Sequence, residues 1–176
     1  GKSSPKYSFM NYVETFKTHT IPVHLILEAI KDLNRNIEFF NTSSSEIFKA
    51  SRNKLKEEFI KEPQNPYGLA KLNAFLLVKF FRENFKMKCF SGILFNHESN
   101  LRSKNFIIPK IIDYINKNNF SKKLQLGNLN IIKDFGWAPE YIEIIYKLMK
   151  KNKYEDFIIA SGKSYKLKKI VEMIFN

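Results

Sequence analysis

At 176 residues the chain has room for one domain with a real core, and 44% hydrophobic with 15% aromatic residues favours a folded globule over a disordered chain. A formal charge of +13 raises a nucleic-acid partner, but the positive charge is scattered lysine, with Arg35, Arg52, Arg82 and Arg102 as the arginines. Readers of bases and phosphates lean on arginine forks, so composition argues against that class.

No apolar run approaches the ~20 residues needed to span a bilayer, and Gly1-Lys2-Ser3-Ser4-Pro5 lacks the apolar core of a signal peptide. The chain begins without methionine, which points to a start upstream. One cysteine, Cys89, excludes an internal disulfide framework, and His19, His24 and His97 show no metal-ligand spacing with it. The expectation is a cytoplasmic, metal-free protein with neither a nucleic-acid nor a membrane partner. Cys89 sits in an apolar run and reads as core.

In chain order, residues from about Phe9 to Leu33 read as a helix whose apolar face includes Ile21, Leu25, Ile26, Leu27 and Ile30, with Pro22 kinking or dividing it. Ile37 to Ser43 fits a buried strand, which puts Ser43-Ser44-Ser45-Glu46 at a strand's C-terminal end, where open α/β sheets bind ligands. Phe48 to Asn65 is charged and irregular and leads into Pro66. Tyr67 to Phe85 has strong helical periodicity, with Leu69, Leu72, Ala74, Leu76, Leu77 and Phe80 available for packing.

Met87 to Phe95 reads as a strand that stops at the polar Asn96-His97-Glu98-Ser99. A helix from about Phe106 to Asn116, a short strand at Leu124 to Leu126 and a helix entered at Pro139 and running to about Met149 follow. A strand at Phe157 to Ala160 and a helix from about Leu167 to Phe175 close the chain. This alternation predicts an α/β fold, a mostly parallel sheet with helices on both faces, and no linker divides residues 1–176.

Within this frame P-Y-G-L-A-K, Pro66 to Lys71, places a tyrosine four residues ahead of a lysine. On a helix that spacing puts both side chains on one face, where an ammonium favours phenolate over phenol and so suits the tyrosine to act as a base. Read alone, Ser43 to Ser45 is also what a polar strand end looks like, Glu46 a cap acceptor, and His97 a turn residue.

Taken together, S-S-S-E, P-Y-G-L-A-K, G-I-L-F-N-H-E-S (Gly92 to Ser99), L-G-N-L and D-F-I-I-A-S-G occur in an order and at separations that resemble the GDP-mannose 4,6-dehydratases, extended short-chain dehydrogenase/reductases. The third string separates this resemblance from most sugar-nucleotide epimerases. The resemblance implies a partial Rossmann-like fold, a single partial NAD(P)-binding dehydratase domain over 1–176, lyase chemistry on GDP-mannose with NADP, and a place in GDP-fucose biosynthesis. It covers the middle of such an enzyme, without the N-terminal glycine-rich loop or the C-terminal cap, so the chain alone is expected to be inactive. Two alternatives stand beside it: a non-catalytic binding remnant, pairing through an open sheet edge or as a homo-oligomer, and a related epimerase or dehydratase.

The family chemistry is an internal redox elimination, in which hydride leaves C4 of the mannose for NADP, water is lost across C5 and C6, and the same hydride returns at C6. By resemblance, Tyr67 takes the C4 hydroxyl proton, Lys71 tunes it and bonds the nicotinamide ribose, Ser44 hydrogen-bonds the O4 proton path, and Glu46 removes the C5 proton and helps water leave. Ser3, His97 and Arg102 correspond to cofactor contacts, and Asn96, Lys110 and Asn128 to positions that meet the sugar nucleotide. The chain departs from the family pattern at Pro22 and Lys49, where glycine is usual, at Lys133 and Trp137 in K-D-F-G-W, which stands for R-D-W-G-H, and at Lys166 in place of a capping serine. Trp137 reads either as core packing or as an intrusion where a histidine belonged.

Overall fold

The computed structural model describes residues 3–33, 36–51, 53–117 and 120–175; Gly1 and Lys2, at the start of the resemblance, Arg35 and Arg52 lie outside them. The chain folds as two compact units, each drawn from two stretches: residues 1–94 with 144–159, and residues 95–143 with 160–176.

The first unit opens with three short helices, α1 (Pro5–Met10), α2 (Tyr12–His19) and α3 (Ile21–Asp32), where the sequence predicts one long helix. Pro22 divides it as expected, sitting in the first turn of α3 where no N–H is needed. The second break was not predicted. It falls at Asn11, whose backbone N–H and side-chain Nδ2 both donate to the Tyr7 carbonyl, a local alternative to continuing the helix.

Strand β1 (Phe39–Ser44) starts two residues later than expected and ends in a 3-10 turn, Ser45–Ile47. Helix α4 (Pro66–Phe85) crosses to β2 (Cys89–Leu94), which pairs parallel with β1 from Phe39–Cys89 to Ser44–Leu94. This is a βαβ unit. β5 (Phe157–Ile159) adds in parallel on the other side of β2, giving the order β1-β2-β5.

Helix α4 buries Ala74 and packs Leu72 and Leu77 against the core as predicted, but the rest of its buried stripe differs from the one expected. Tyr67, Ala70, Ala74, Phe75, Val78 and Phe81 face the sheet and α2, while Leu69, Leu76 and Phe80 are about half exposed. The buried set follows i, i+3/i+4 spacing from Tyr67, so the apolar residues that pack are those in phase with the tyrosine. Two clusters result: Leu27, Val78, Phe81 and Cys89, and Ile47, Phe48, Phe75 and Ile93. Asp156 fixes the near end of the unit, receiving both Arg82 guanidinium nitrogens at 3.0 and 2.6 Å and the Ser91 N–H at 2.8 Å.

In the second unit, β3 (Asn96–Glu98) pairs parallel with β4 (Ile132–Trp137), which pairs antiparallel with β6 (Ser164–Lys166). Three sequence expectations are corrected here. Asn96-His97-Glu98 is itself a strand rather than a strand's end, Leu124 to Leu126 is irregular, and the strand of this region is β4, whose alternation is masked by Lys133, Asp134 and Gly136. The helices α5 (Ile107–Asn116) and α7 (Leu167–Phe175) stand where predicted, as does α6 (Ala138–Met149), whose residues divide between the units after Glu143. Among the described residues no helix is long and apolar enough to cross a membrane, and no group of three or more His, Cys, Asp or Glu could hold a metal.

Candidate active site

In the first unit the C-terminal end of β1 runs directly into the carboxylate-bearing turn. Ser43 and Ser44 are buried, and the Ser44 hydroxyl accepts the Glu46 N–H at 3.3 Å, a serine turn that ends the strand and points the chain away from the sheet. Glu46 lies in the middle of the turn, and its Oε2 accepts from Nδ2 of Asn65 at 2.8 Å. The same Asn65 is the N-cap of α4: its Oδ1 accepts the Gly68 N–H at 2.8 Å. Backbone meets backbone beside it, because a Cβ on Gly68 would overlap the Glu46 carbonyl oxygen. Glycine is required there for close approach, not for its conformation.

Tyr67 follows Pro66 in the first turn of α4, buried to 7% exposure, with the His19 ring edge-on at 5.1 Å between centroids. One turn on, the Lys71 ammonium stands 5.9 Å from the centre of the Tyr67 ring and donates to the Thr42 carbonyl at 2.8 Å. Burial lowers the Lys71 pKa to about 8, still above neutrality, so the ammonium remains the main form at pH 7. An ammonium has three donors, and Thr42 takes one. Thus β1 and α4 bring Ser44, Glu46, Tyr67 and Lys71 onto connected elements of one unit.

Two residues of this arrangement escape the sequence reading. Asn65 carries a usable signal, since asparagine followed by Pro66 at the start of a periodic run marks an N-cap. His19 carries no signal in the sequence beyond its spacing, and its position beside Tyr67 depends on how α2 packs on α4, which no local pattern reports. Ser3, half-buried, precedes the Ser4 that caps α1.

The second unit holds the remaining predicted residues. Asn96 donates from Nδ2 to the Asp134 carbonyl at 3.3 Å, and its own carbonyl is 3.5 Å from the Tyr141 hydroxyl. His97 stands opposite Gly136 in the ladder, with Nδ1 2.9 Å from the Phe95 carbonyl and its ring 5.1 Å from that of Tyr141. Gly136 makes room for this tyrosine: a Cβ would enter the Tyr141 ring. Burial, with Asp134 and Glu140 nearby, pushes the Tyr141 hydroxyl up to about 12, so it is a fixed neutral phenol.

Arg102 lies with its guanidinium 3.6 Å from the centre of the Phe106 ring, and Nε is 3.8 Å from Glu98. Burial raises the Glu98 pKa, and Arg102 opposes that rise. Lys110 and Asn128 are not brought together by a direct bond: Lys110 donates to the Gln125 carbonyl at 2.6 Å, and Asn128 accepts the Asn130 N–H at 2.9 Å. Trp137, 43% exposed at the end of β4, is not core packing. Lys49 is exposed and pairs with Glu62 at 3.2 Å; the described non-glycine residues with left-handed backbone are Lys86 and Asn152, so lysine in place of glycine strains nothing at position 49.

The sequence profile of the GDP-mannose 4,6 dehydratase family matches residues 1–176. Over 179 residues the chain is 31% identical to the GDP-mannose 4,6 dehydratase of Drosophila melanogaster, covering 99% of this chain and 45% of that protein. Over 155 residues it is 36% identical to the Homo sapiens protein of the same name, covering 85% and 42%. The chain thus spans less than half the length of these curated relatives. In fold it matches RMD from Pseudomonas aeruginosa complexed with NADPH, with a TM-score of 0.90 at 19% identity over 99% of this chain and 62% of that one. It matches the dTDP-glucose 4,6-dehydratase DesIV from Streptomyces venezuelae, with NAD and TYD bound, at a TM-score of 0.90 and 13% identity over 99% and 54%. At such identities the likeness speaks to fold alone, and it agrees with the α/β, mostly parallel, partial Rossmann-like class expected from the sequence.

Proposed function

The chain belongs to the GDP-mannose 4,6-dehydratase family, and we propose that it carries the acid–base part of an NADP-dependent conversion of GDP-mannose to GDP-4-keto-6-deoxy-mannose. The observation that carries this reading is the link from the strand-end carboxylate to the tyrosine helix: Glu46 to Asn65 to Gly68, with Lys71 one turn beyond Tyr67.

In this reading residues 1–176 are a single partial NAD(P)-binding domain. Tyr67 accepts the proton of the C4 hydroxyl, helped by the Lys71 ammonium at its ring. Ser44, at the end of β1, hydrogen-bonds along that proton path. Glu46 takes the proton from C5 and returns one to the hydroxyl that leaves C6, so the carboxylate ends the step as it began it. The donor set fits a nicotinamide cofactor, because an ammonium with donors beyond the one on Thr42 suits ribose hydroxyls. Ser3, His97 and Arg102 would hold the rest of it, and when bound it supplies the hydride acceptor and donor. Asn96, Lys110 and Asn128 would meet the sugar nucleotide. None of the six glycines forms a glycine-rich pyrophosphate turn, so turnover calls for residues beyond these.

The test is to transplant residues 1–176 into the matching stretch of the human relative and assay for the 4-keto-6-deoxy product with GDP-mannose and NADP. Product from the soluble transplant, and none from the 176 residues alone, is the expected pair of results; a soluble transplant without product sinks the proposal. A second reading, a binding remnant, draws on β1 standing at the edge of its sheet. Phe39 donates its N–H to the Lys88 carbonyl, so the main-chain groups of Phe40, Thr42 and Ser44 point away from β2; the Thr42 carbonyl is taken by Lys71, and the pairing edge is offered beside Phe40. Light scattering distinguishes the two: a monomer at high concentration argues against edge pairing.

A further inference from the structure

We infer that Asn65 is a positioning residue for the Glu46 carboxylate, holding Oε2 with its Nδ2–H while its Oδ1 caps the helix that carries Tyr67. The inference rests on the reading of Glu46 and Tyr67 given above. It names a residue that reading does not contain.

Three observations combine. The Asn65 Nδ2 to Glu46 Oε2 distance is 2.8 Å, and so is that from the Gly68 nitrogen to Asn65 Oδ1. Both ends of one planar amide are therefore engaged, which fixes its two side-chain torsions. Pro66 follows directly, holds its own φ and keeps Asn65 extended, at φ −152° and ψ 159°, in the conformation an N-cap needs. On the far side, Gly68 presses against the Glu46 main chain so closely that no Cβ fits. The carboxylate is held at its tip through Asn65 and at its backbone through Gly68, and both contacts belong to the same helical turn as Tyr67.

Few side chains can do this. Serine, threonine and aspartate all cap helices, but none offers an N–H to a carboxylate as well. The expectation is that the cap and the clamp separate under substitution. Asn65→Ser keeps a cap oxygen and loses the amide N–H that reaches Glu46, its single hydroxyl standing at the cap position. Asn65→Asp keeps a cap oxygen and sets a second carboxylate against Glu46.

The test uses the full 176-residue chain and needs no turnover, so failure of the proposed reaction leaves it readable. In a double-mutant cycle of Asn65→Ser and Glu46→Ala, followed by urea unfolding, the two positions couple by at least about tenfold in the unfolding constant, as expected for a hydrogen bond to a charged group. Asn65→Asp lowers the urea midpoint of unfolding more than Asn65→Ser when Glu46 is present, and by the same amount as Asn65→Ser in the Glu46→Ala background. The spectroscopic signature is the Asn65 side-chain amide proton, which moves upfield on Glu46→Ala and stays in place on Glu62→Ala. Coupling within about twofold of unity, or an amide signal indifferent to Glu46, overturns the inference and leaves Asn65 a simple helix cap.

Discussion

Replacing Gly68 with alanine sets two effects of opposite sign against each other. Alanine gains about 1 kcal/mol over glycine inside a helix, and Gly68 is in the first turn of α4 without a left-handed backbone, so propensity alone predicts stabilisation. The added Cβ, however, would overlap the Glu46 carbonyl oxygen and stand 3.1 Å from Cβ of Pro63. The obstacle is main chain, which cannot rotate aside as a side chain can. Relief requires the first turn of α4 to back away from the 3-10 turn, stretching the 2.8 Å bond from Asn65 to Glu46. Overpacking costs about 1–3 kcal/mol, and a backbone obstacle belongs at the upper end, so the net effect is a loss of about 2 kcal/mol. Urea unfolding of the chain measures it through the midpoint. A Gly68→Ala variant as stable as its parent, or more so, would refute the close approach of α4 to Glu46.

Lys71 titrates near 8 in the fold and at 10.5 when unperturbed, so between those values the unfolded chain binds the extra proton and this group makes stability rise with pH. Lys71→Met removes that share of the rise, and equal slopes for variant and parent from pH 8 to 10.5 would contradict it. Asp156→Ala strands the Arg82 guanidinium, whose side chain is 17% exposed; breaking a buried pair costs about 3–5 kcal/mol, read again by urea unfolding. Cys89 is fully buried and burial pushes its thiol up to about 11, so the folded chain resists alkylation at pH 8 whereas the urea-unfolded chain reacts readily. Equal rates in the two states would place the thiol at the surface.

The long-period signals were legible in the sequence. Helix α4, the turn at Ser43 to Glu46, the helices at Pro139 and Leu167 and the strand at Phe157 follow from periodicity, proline placement and short apolar runs. What failed did so for tertiary reasons. The stripe of α4 that packs is chosen by the sheet and α2, so Leu69, Leu76 and Phe80 stay half exposed although their spacing is equally helical. β3 is a polar strand held by its register with β4 and by Tyr141 beside Gly136, and no residue in Asn96-His97-Glu98 announces strand by its own preference. At the candidate site, Tyr67, Lys71, Ser44 and Glu46 were visible by spacing and resemblance. Asn65 escaped the sequence reading, and its bond to Glu46 reaches 19 residues back, beyond any local pattern.

In the proposed reaction Tyr67 and Glu46 are the proton-transferring groups. The most direct measurement is product formation by the transplant described above, with Tyr67→Phe and Glu46→Gln introduced singly. Each is predicted to lower the rate by about a hundredfold or more, the usual contribution of a positioned acid or base. A transplant that forms the 4-keto-6-deoxy product equally well with either substitution would contradict it.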